Sequence, residues 1–239
     1  MPRSPPRPRG RSSTSGVSQP SAASHAGATA GPPRAVVIAC GALARELQAL
    51  TRGLPGVDVW YLPATLHNRP ERIPDLVRGR IREARAGGYD RILIGYADCG
   101  SGGLLDRVVE DEGVERLPGA HCYELYAGRS AFAELQDAEP GTFYLTDFLV
   151  RSFEGLVWRG LGLDRHPELR STYFGNYRRV VYLAQTDDVG LVDAARRAAE
   201  RLGLAFEHRP TALGELEPAV RSFAGAPGAV PLRPLQGLA

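Results

Sequence analysis

The sequence predicts an α/β protein: a mostly parallel sheet with helices on both faces, Rossmann- or flavodoxin-like in type. Three observations carry that expectation. Short apolar runs bounded by glycine or proline alternate with longer stretches of helical spacing, the mark of strand–helix–strand units. The run at 91–96, RILIGY, lies between Gly87-Gly88 and the glycines at 100, 102 and 103, so its length and flanks suit a buried central strand. The strand–helix–strand units at 35–62 and 180–208 match in length and pattern. That match suits two pseudo-repeated lobes, 35–139 and 140–223, although no residue-level repeat accompanies it.

Taken in order, residues 1–34 are mostly Pro, Ser, Gly, Ala and Arg with almost nothing to bury. Such a segment is expected to stay disordered, and it lacks the apolar core of a secretory signal. The first strand, 35–39, ends at Cys40-Gly41, and Leu43, Leu47 and Leu50 set helical spacing over 43–52. The second strand, 57–62, leads through His67 into a helix within 69–86, where Pro70 and Pro74 limit the first regular turn. The third strand opens into the glycine-rich loop carrying Cys99. A short helix at 104–112 and a weak strand at 114–117 follow, and then His121-Cys122 leads into a helix reaching about 135. In the second half, strands at 142–146, 180–184 and 205–208 alternate with helices at 147–158 and 189–202, around a turn-rich piece at 160–177. From 224 onward Pro and Gly return, and a loose C-terminal tail is expected.

Composition narrows the function. A hydrophobic share of 43% and a charged share of 23% describe an ordinary globular protein, and no run approaches a membrane span. The net charge of +2 is unevenly placed: five arginines and no acid lie in 1–34, which leaves −3 on the remainder. That is no footprint for nucleic acid on the folded part. Three widely spaced cysteines do not make a disulfide framework, and a reducing cytoplasm is the default expectation.

The chemistry gathers at strand ends. Cys40, His67, Cys99 and the His121-Cys122 pair each follow one of the first four strands. In the order 2-1-3-4 those ends are neighbours, and the crevice at the switch point lies between Cys40 and Cys99. Thiols and imidazoles gathered in one place point to a metal, either zinc or an iron–sulfur cluster. Cys40, Cys99 and Cys122 are the candidate ligands, with His67 the alternate. A single ion would bring the three sulfurs within about 4 Å of one another. Packing alone also accounts for buried free cysteines. His121 and Glu46 are the candidate acid–base residues. The loop of Gly100, Ser101, Gly102 and Gly103, with Gly41 after the first strand, is the candidate cofactor cradle. It lacks both the Lys-Ser/Thr of a P-loop and a GxGxxG fingerprint. The Thr146-Asp147 and Thr186-Asp187-Asp188 strand ends suit hydroxyl or cationic groups, but ordinary helix capping is the favoured reading.

The segments ACGALARE (39–46), LHNRPERI (66–73), GYADCGSGG (95–103), GAHCYELYAG (119–128) and PGTFYLTDF (140–148) resemble a prokaryotic family catalogued as domain of unknown function 1638. The resemblance spans roughly residues 35–215. It implies a cytoplasmic α/β protein with a cysteine/histidine site. Through the association of such proteins with corrinoid-dependent methyl transfer, it also implies a corrinoid or one-carbon connection. Two functions follow as expectations. One is a metal- or cofactor-binding protein working with a small-molecule ligand or a corrinoid protein. The alternative is a non-catalytic module that holds an anion or tetrapyrrole while its cysteines pack.

Overall fold

A computed structural model describes residues 34–225; residues 1–33 and 226–239, on which the tail expectations fall, lie outside the described residues. The strands divide into two sheets. The first holds β1 (Ala35–Cys40), β2 (Val57–Leu62), β3 (Arg91–Gly95) and the two-residue β4 (Glu115–Arg116), in the order β2-β1-β3-β4. Every pairing in it is parallel. The second holds β5 (Thr142–Leu145), β6 (Arg179–Ala184) and β7 (Ala205–Pro210), also parallel and in sequence order. The expected parallel α/β architecture with the 2-1-3-4 order is therefore present, with the strands shared between two sheets.

Alternation along β1 decides which helix covers which face. Val36, Ile38 and Cys40 point to one side, with Ile92, Ile94 and Tyr96. They pack there on Ile73, Val77 and Ile81 of α2 (Ile73–Ala86) and on Leu105 and Val108 of α3 (Leu104–Asp111). Val37, Ala39 and Leu93 point to the other side, against Leu47 and Leu50 of α1 (Ala44–Thr51) and Leu125 of α4 (Cys122–Ala127). Leu216, Val220 and Phe223 of α9 (Leu216–Ala224) complete that layer. The second sheet is covered on one face by α6 (Asp147–Phe153), α7 (Leu169–Phe174) and α8 (Val189–Leu202). On its other face lies α5 (Arg129–Ala138), through Phe132 and Leu135.

Local chemistry explains the boundaries. Pro74 falls in the first turn of α2, where no amide hydrogen is needed. Asp188 caps α8 by accepting from the amides of Gly190 and Leu191, and Thr146 caps α6 by accepting from Leu149. Four elements differ from the sequence reading. The helix expected from Cys122 to about 135 breaks at Gly128, whose φ of 80° and ψ of 147° leave the helical region, giving α4 and α5. The helix expected over 147–158 changes at Phe153 into a π-helical turn, Glu154–Trp158. The turn-rich piece contains α7, and α9 forms in a stretch given no element. Among the described residues no helix is long and apolar enough to cross a membrane.

Candidate functional site

The carboxyl ends of β1 and β3 enclose a cavity of about 10 Å³ lined by Cys40, His67, Tyr96, Cys99, Cys122 and Leu125, among others. All three cysteines of the chain are free and reach it. They come from both sides of the sheet edge: Cys40 and Cys99 belong to the core of one face, and Cys122 packs with the other.

Three local features aim them. Gly95, paired with Ala39, lets β3 press against β1, since a Cβ there would lie 2.5 Å from the Ala39 Cβ. Beyond the strand, Cys99 takes a positive φ of 51°, one of two non-glycine residues to do so among the described residues. That conformation costs about 1–2 kcal/mol and reverses the chain beneath the sheet edge. It is held by the Asp98 and Cys99 amides, which donate to the Gly119 and Ala120 carbonyls at 3.1 and 2.8 Å. The buried Arg116 side chain braces the same loop, donating to the carbonyls of Leu117 at 2.7 Å and Gly119 at 3.1 Å and pairing with Asp106.

Electrostatically the site is a set of neutral thiols. Burial pushes Cys40 up to about 11, against the lowering effect of the Ala42 amide. Burial pushes Cys99 up to about 12, and the neighbouring Cys40 adds to it. Cys122 is raised further, by burial first and then by Cys99 and Cys40. His67 is exposed at the rim, with Nδ1 3.0 Å from the Ala64 carbonyl and 3.8 Å from Cys40 Sγ. A carbonyl only accepts, so the Ala64 contact requires a hydrogen on Nδ1. Tyr96 stacks near His67, its ring centroid 6.4 Å away. It is 1% exposed, and its hydroxyl lies beside Cys40 and Cys99. Strict geometry gives it no hydrogen-bond partner, yet the Cys40 sulfur is close enough for the phenol and the thiol to act on each other.

The other candidates fall elsewhere. His121 is exposed at the start of α4, against Tyr123, and does not line the cavity. The glycine loop cradles its own Asp98, which accepts from the Ser101 hydroxyl at 2.6 Å and the amides of Gly102 and Gly103 at 3.1 and 2.9 Å. Burial opposes ionisation of Asp98, but those donors and Arg116 outweigh it and hold the carboxyl below its usual range. The donors expected to face an anion are thus already engaged, and Gly100 packs near Pro70. Gly41 serves close packing, with the Leu62 carbonyl 3.1 Å from where its Cβ would be.

Glu46 is buried at 7% exposure, with Oε2 unpartnered. Burial raises its pKa, and the nearby Asp147 adds to the rise while Arg151 opposes it. Asp147, at a strand end read from sequence as a helix cap before a holder of hydroxyl or cationic groups, is a fully buried hub. It accepts from the Tyr182 hydroxyl at 2.7 Å, the Gln185 amide at 3.0 Å and the Thr186 hydroxyl at 2.6 Å, with Arg151 at 3.6 Å. Tyr96 is the residue that sequence reasoning passes over, and the available signal was a polar tip on the last residue of an apolar run.

Among the described residues, no three His, Cys, Asp or Glu side chains are arranged to hold a metal ion. The thiols share a cavity without sharing a coordination sphere. A larger hollow of about 420 Å³ opens at the amino end of the first sheet, lined by Arg85, Arg91 and Phe223. Its arginines are engaged, Arg85 with Glu112 and Arg91 with the Phe223 carbonyl, and it gathers no nucleophile. The family described as "Protein of unknown function (DUF1638)" matches residues 61–220. That span takes in His67, Tyr96, Cys99, Cys122 and Asp147, while Cys40 and Glu46 precede it. No curated protein matches the chain.

Proposed function

The chain belongs to this family of proteins of unknown function, and we propose that its working centre is the thiol pocket, which takes up a single thiophilic metal ion such as zinc. One observation carries the reading: three cysteines from segments far apart in sequence converge on one cavity with His67 at its rim. Cys40, Cys99 and Cys122 would be the thiolate ligands and the His67 imidazole the fourth donor. The donor set fits in kind, since thiolate and imidazole are the zinc ligands of structural and catalytic sites. The Nδ1 contact to the Ala64 carbonyl is the outer support that orients a ligating imidazole. The size of the cavity favours one ion over a cluster, because about 10 Å³ is roughly the room one water needs.

Cys40, Cys99 and Cys122 would hold the ion as thiolates, each giving up its proton to do so. Uptake therefore releases protons and strengthens as pH rises. Bound metal would supply Lewis acidity or an activated thiolate. A one-carbon role fits that chemistry, but a tetrapyrrole needs hundreds of Å³, so a corrinoid would come as the cargo of a partner protein. Three free thiols suit a reducing cytoplasm.

Metal analysis after anaerobic purification tests the reading. Stoichiometric zinc is expected in the wild type, with most of it lost in Cys40→Ser, Cys99→Ser and Cys122→Ser alike. His67→Ala should weaken binding, and His166→Ala, at an exposed pair with Glu168, should not. Metal-free wild-type protein that binds no added zinc would end the proposal.

A further inference from the structure

Where the two halves of the chain meet, an acid from one faces an acid from the other. Glu46, in the first turn of α1, is 7% exposed, and its Oε2 has no hydrogen-bond partner. Across the junction the buried Asp147 opens α6, its oxygens already taken by the Tyr182 hydroxyl, the Gln185 amide and the Thr186 hydroxyl. The two acids are near enough that a charge on one opposes a charge on the other. Among the described residues, the other ionisable groups that feel Glu46 are Arg45 on its own helix, Tyr61 of β2, Tyr126 of α4 and Arg151 of α6. Neither arginine reaches Oε2: Arg45 is exposed, and Arg151 leans on Asp147 at 3.6 Å. A buried carboxylate with no bonded cation, set beside a second carboxylate, is strongly disfavoured, and the same group with its proton is not. The packed junction therefore suits the neutral acid.

The chain ahead of α1 ties this pair to the thiol pocket. The 3-10 turn Gly41–Leu43 runs straight into α1 and lies against α6, and its Ala42 and Leu43 line the pocket beside Cys40. Tyr126, next to Leu125 of the lining, feels both acids. A cavity of about 10 Å³ admits nothing larger than a water-sized group unless a wall gives way. We propose that Glu46 is a proton-operated latch: its neutral carboxyl lets α1 lie against α6, and its ionisation lifts α1 and the Gly41–Leu43 turn away and opens the thiol pocket. The latch stands on the junction and not on what the pocket takes up. Its sign follows from burial, since the closed form holds the proton more tightly than an open form in which water reaches the carboxylate. Closure prevails at low pH, and opening grows as pH rises through a value that burial, then Asp147, holds above the ordinary carboxylate range. Loss of one proton to solvent is the only chemical step.

Glu46→Gln keeps the shape without the charge and should stay closed at every pH. In the metal-free full-length protein, iodoacetamide labelling of the three cysteines is followed by peptide mapping from acid to mildly alkaline pH. Dividing the wild-type rate by the variant's at each pH removes the thiols' own ionisation, which the two proteins share. The quotient should start near one at the acid end and rise several-fold. Amide hydrogen exchange, corrected for its intrinsic pH dependence, reads the same motion without the thiols. In wild type, protection should fall with pH in α1 and the start of α6 but not in α2, on the far face of the first sheet. That comparison needs no variant, and it decides the question if Glu46→Gln does not fold. Constant protection in α1 overturns the latch, because ionised Glu46 would then be held in place by Arg151 or Arg45. A flat quotient overturns it too, since the pocket would not be what opens. So does protection lost equally in α2, where the whole fold would be loosening. None of these results bears on whether the pocket binds zinc, which keeps the two readings separable.

Discussion

A carboxyl group that is 7% exposed and has an oxygen without a partner, as Glu46 has, favours keeping its proton. The groups around it pull both ways. Asp147 raises its pKa, while Arg151 and Arg45 lower it, and Tyr61 and Tyr126 lie close enough to feel its charge. Burial is the largest of these effects, and the net direction is up. The sign for stability follows from linkage: the folded protein holds this proton more tightly than the unfolded chain does. The resulting stabilisation is present below the ordinary carboxylate range and is lost as pH rises through the raised value. Glu46→Gln keeps the shape and removes the titration. Urea midpoints across the acid-to-neutral range should show wild type losing ground to the variant as pH rises. A constant difference between the two proteins would mean that Glu46 ionises as freely as an exposed glutamate.

The elements that make the pocket are the carboxyl ends of β1 and β3 and the first turn of α4, and their spacing is set by a glycine. At Gly95 an added Cβ would meet the Ala39 Cβ at 2.5 Å and the Ala39 Cα at 2.9 Å, atoms of a central strand that cannot swing aside. Gly95→Ala should therefore lower stability by about 1–3 kcal/mol through overpacking. Because Cys40 and Tyr96 are the next residues along, it should also loosen the proposed zinc binding, read by denaturation and by zinc titration. Unchanged stability would show that the strands can separate freely. The strands were legible in the sequence because an apolar run flanked by glycine is a local signal. The gathering of thiols was legible through the strand order, which puts Cys40 and Cys99 on adjacent ends. Which of the two named imidazoles, His67 or His121, lines the cavity was not, because it depends on how two loops turn. His121 sits at φ −143° at the start of α4 and is exposed, while the 3-10 turn Ala64–Asn68 carries His67 to the rim. Nor was α9, where Leu216, Ala219, Val220 and Phe223 have helical spacing but Pro218 reads as a breaker. At the third position of the helix its missing amide hydrogen costs nothing.

The two sheets exchange helices, and this shapes how the whole molecule should come apart. The first sheet is closed by α9, which the chain reaches only after completing the second sheet. Arg91, at the start of β3, ties α9 down by donating to the Phe223 carbonyl and covering its ring at 4.9 Å. In return, α4 and α5 come from the first half but set Tyr123, Phe132 and Leu135 against Tyr144, Val181 and Leu183 of the second sheet. Tyr123 and Tyr144 stack at 5.3 Å, on the helix that begins with Cys122. Leu216, Val220 and Phe223 each contribute about 1.5–3 kcal/mol when buried, which together rivals the ~5–15 kcal/mol that holds a typical domain folded. Neither sheet can lose its borrowed helices and remain stable, so unfolding should be a single transition. The chain carries its own reporters, since its two tryptophans divide between the halves: Trp60 on β2 and Trp158 in the π-helical turn. Trp60→Phe leaves only the second half's signal and Trp158→Phe only the first half's. After allowance for any change in overall stability measured by circular dichroism, the two variants should give coincident urea transitions of equal steepness. Two separated midpoints, with one tryptophan reporting while the other is still in its native environment, would show that the halves stand alone.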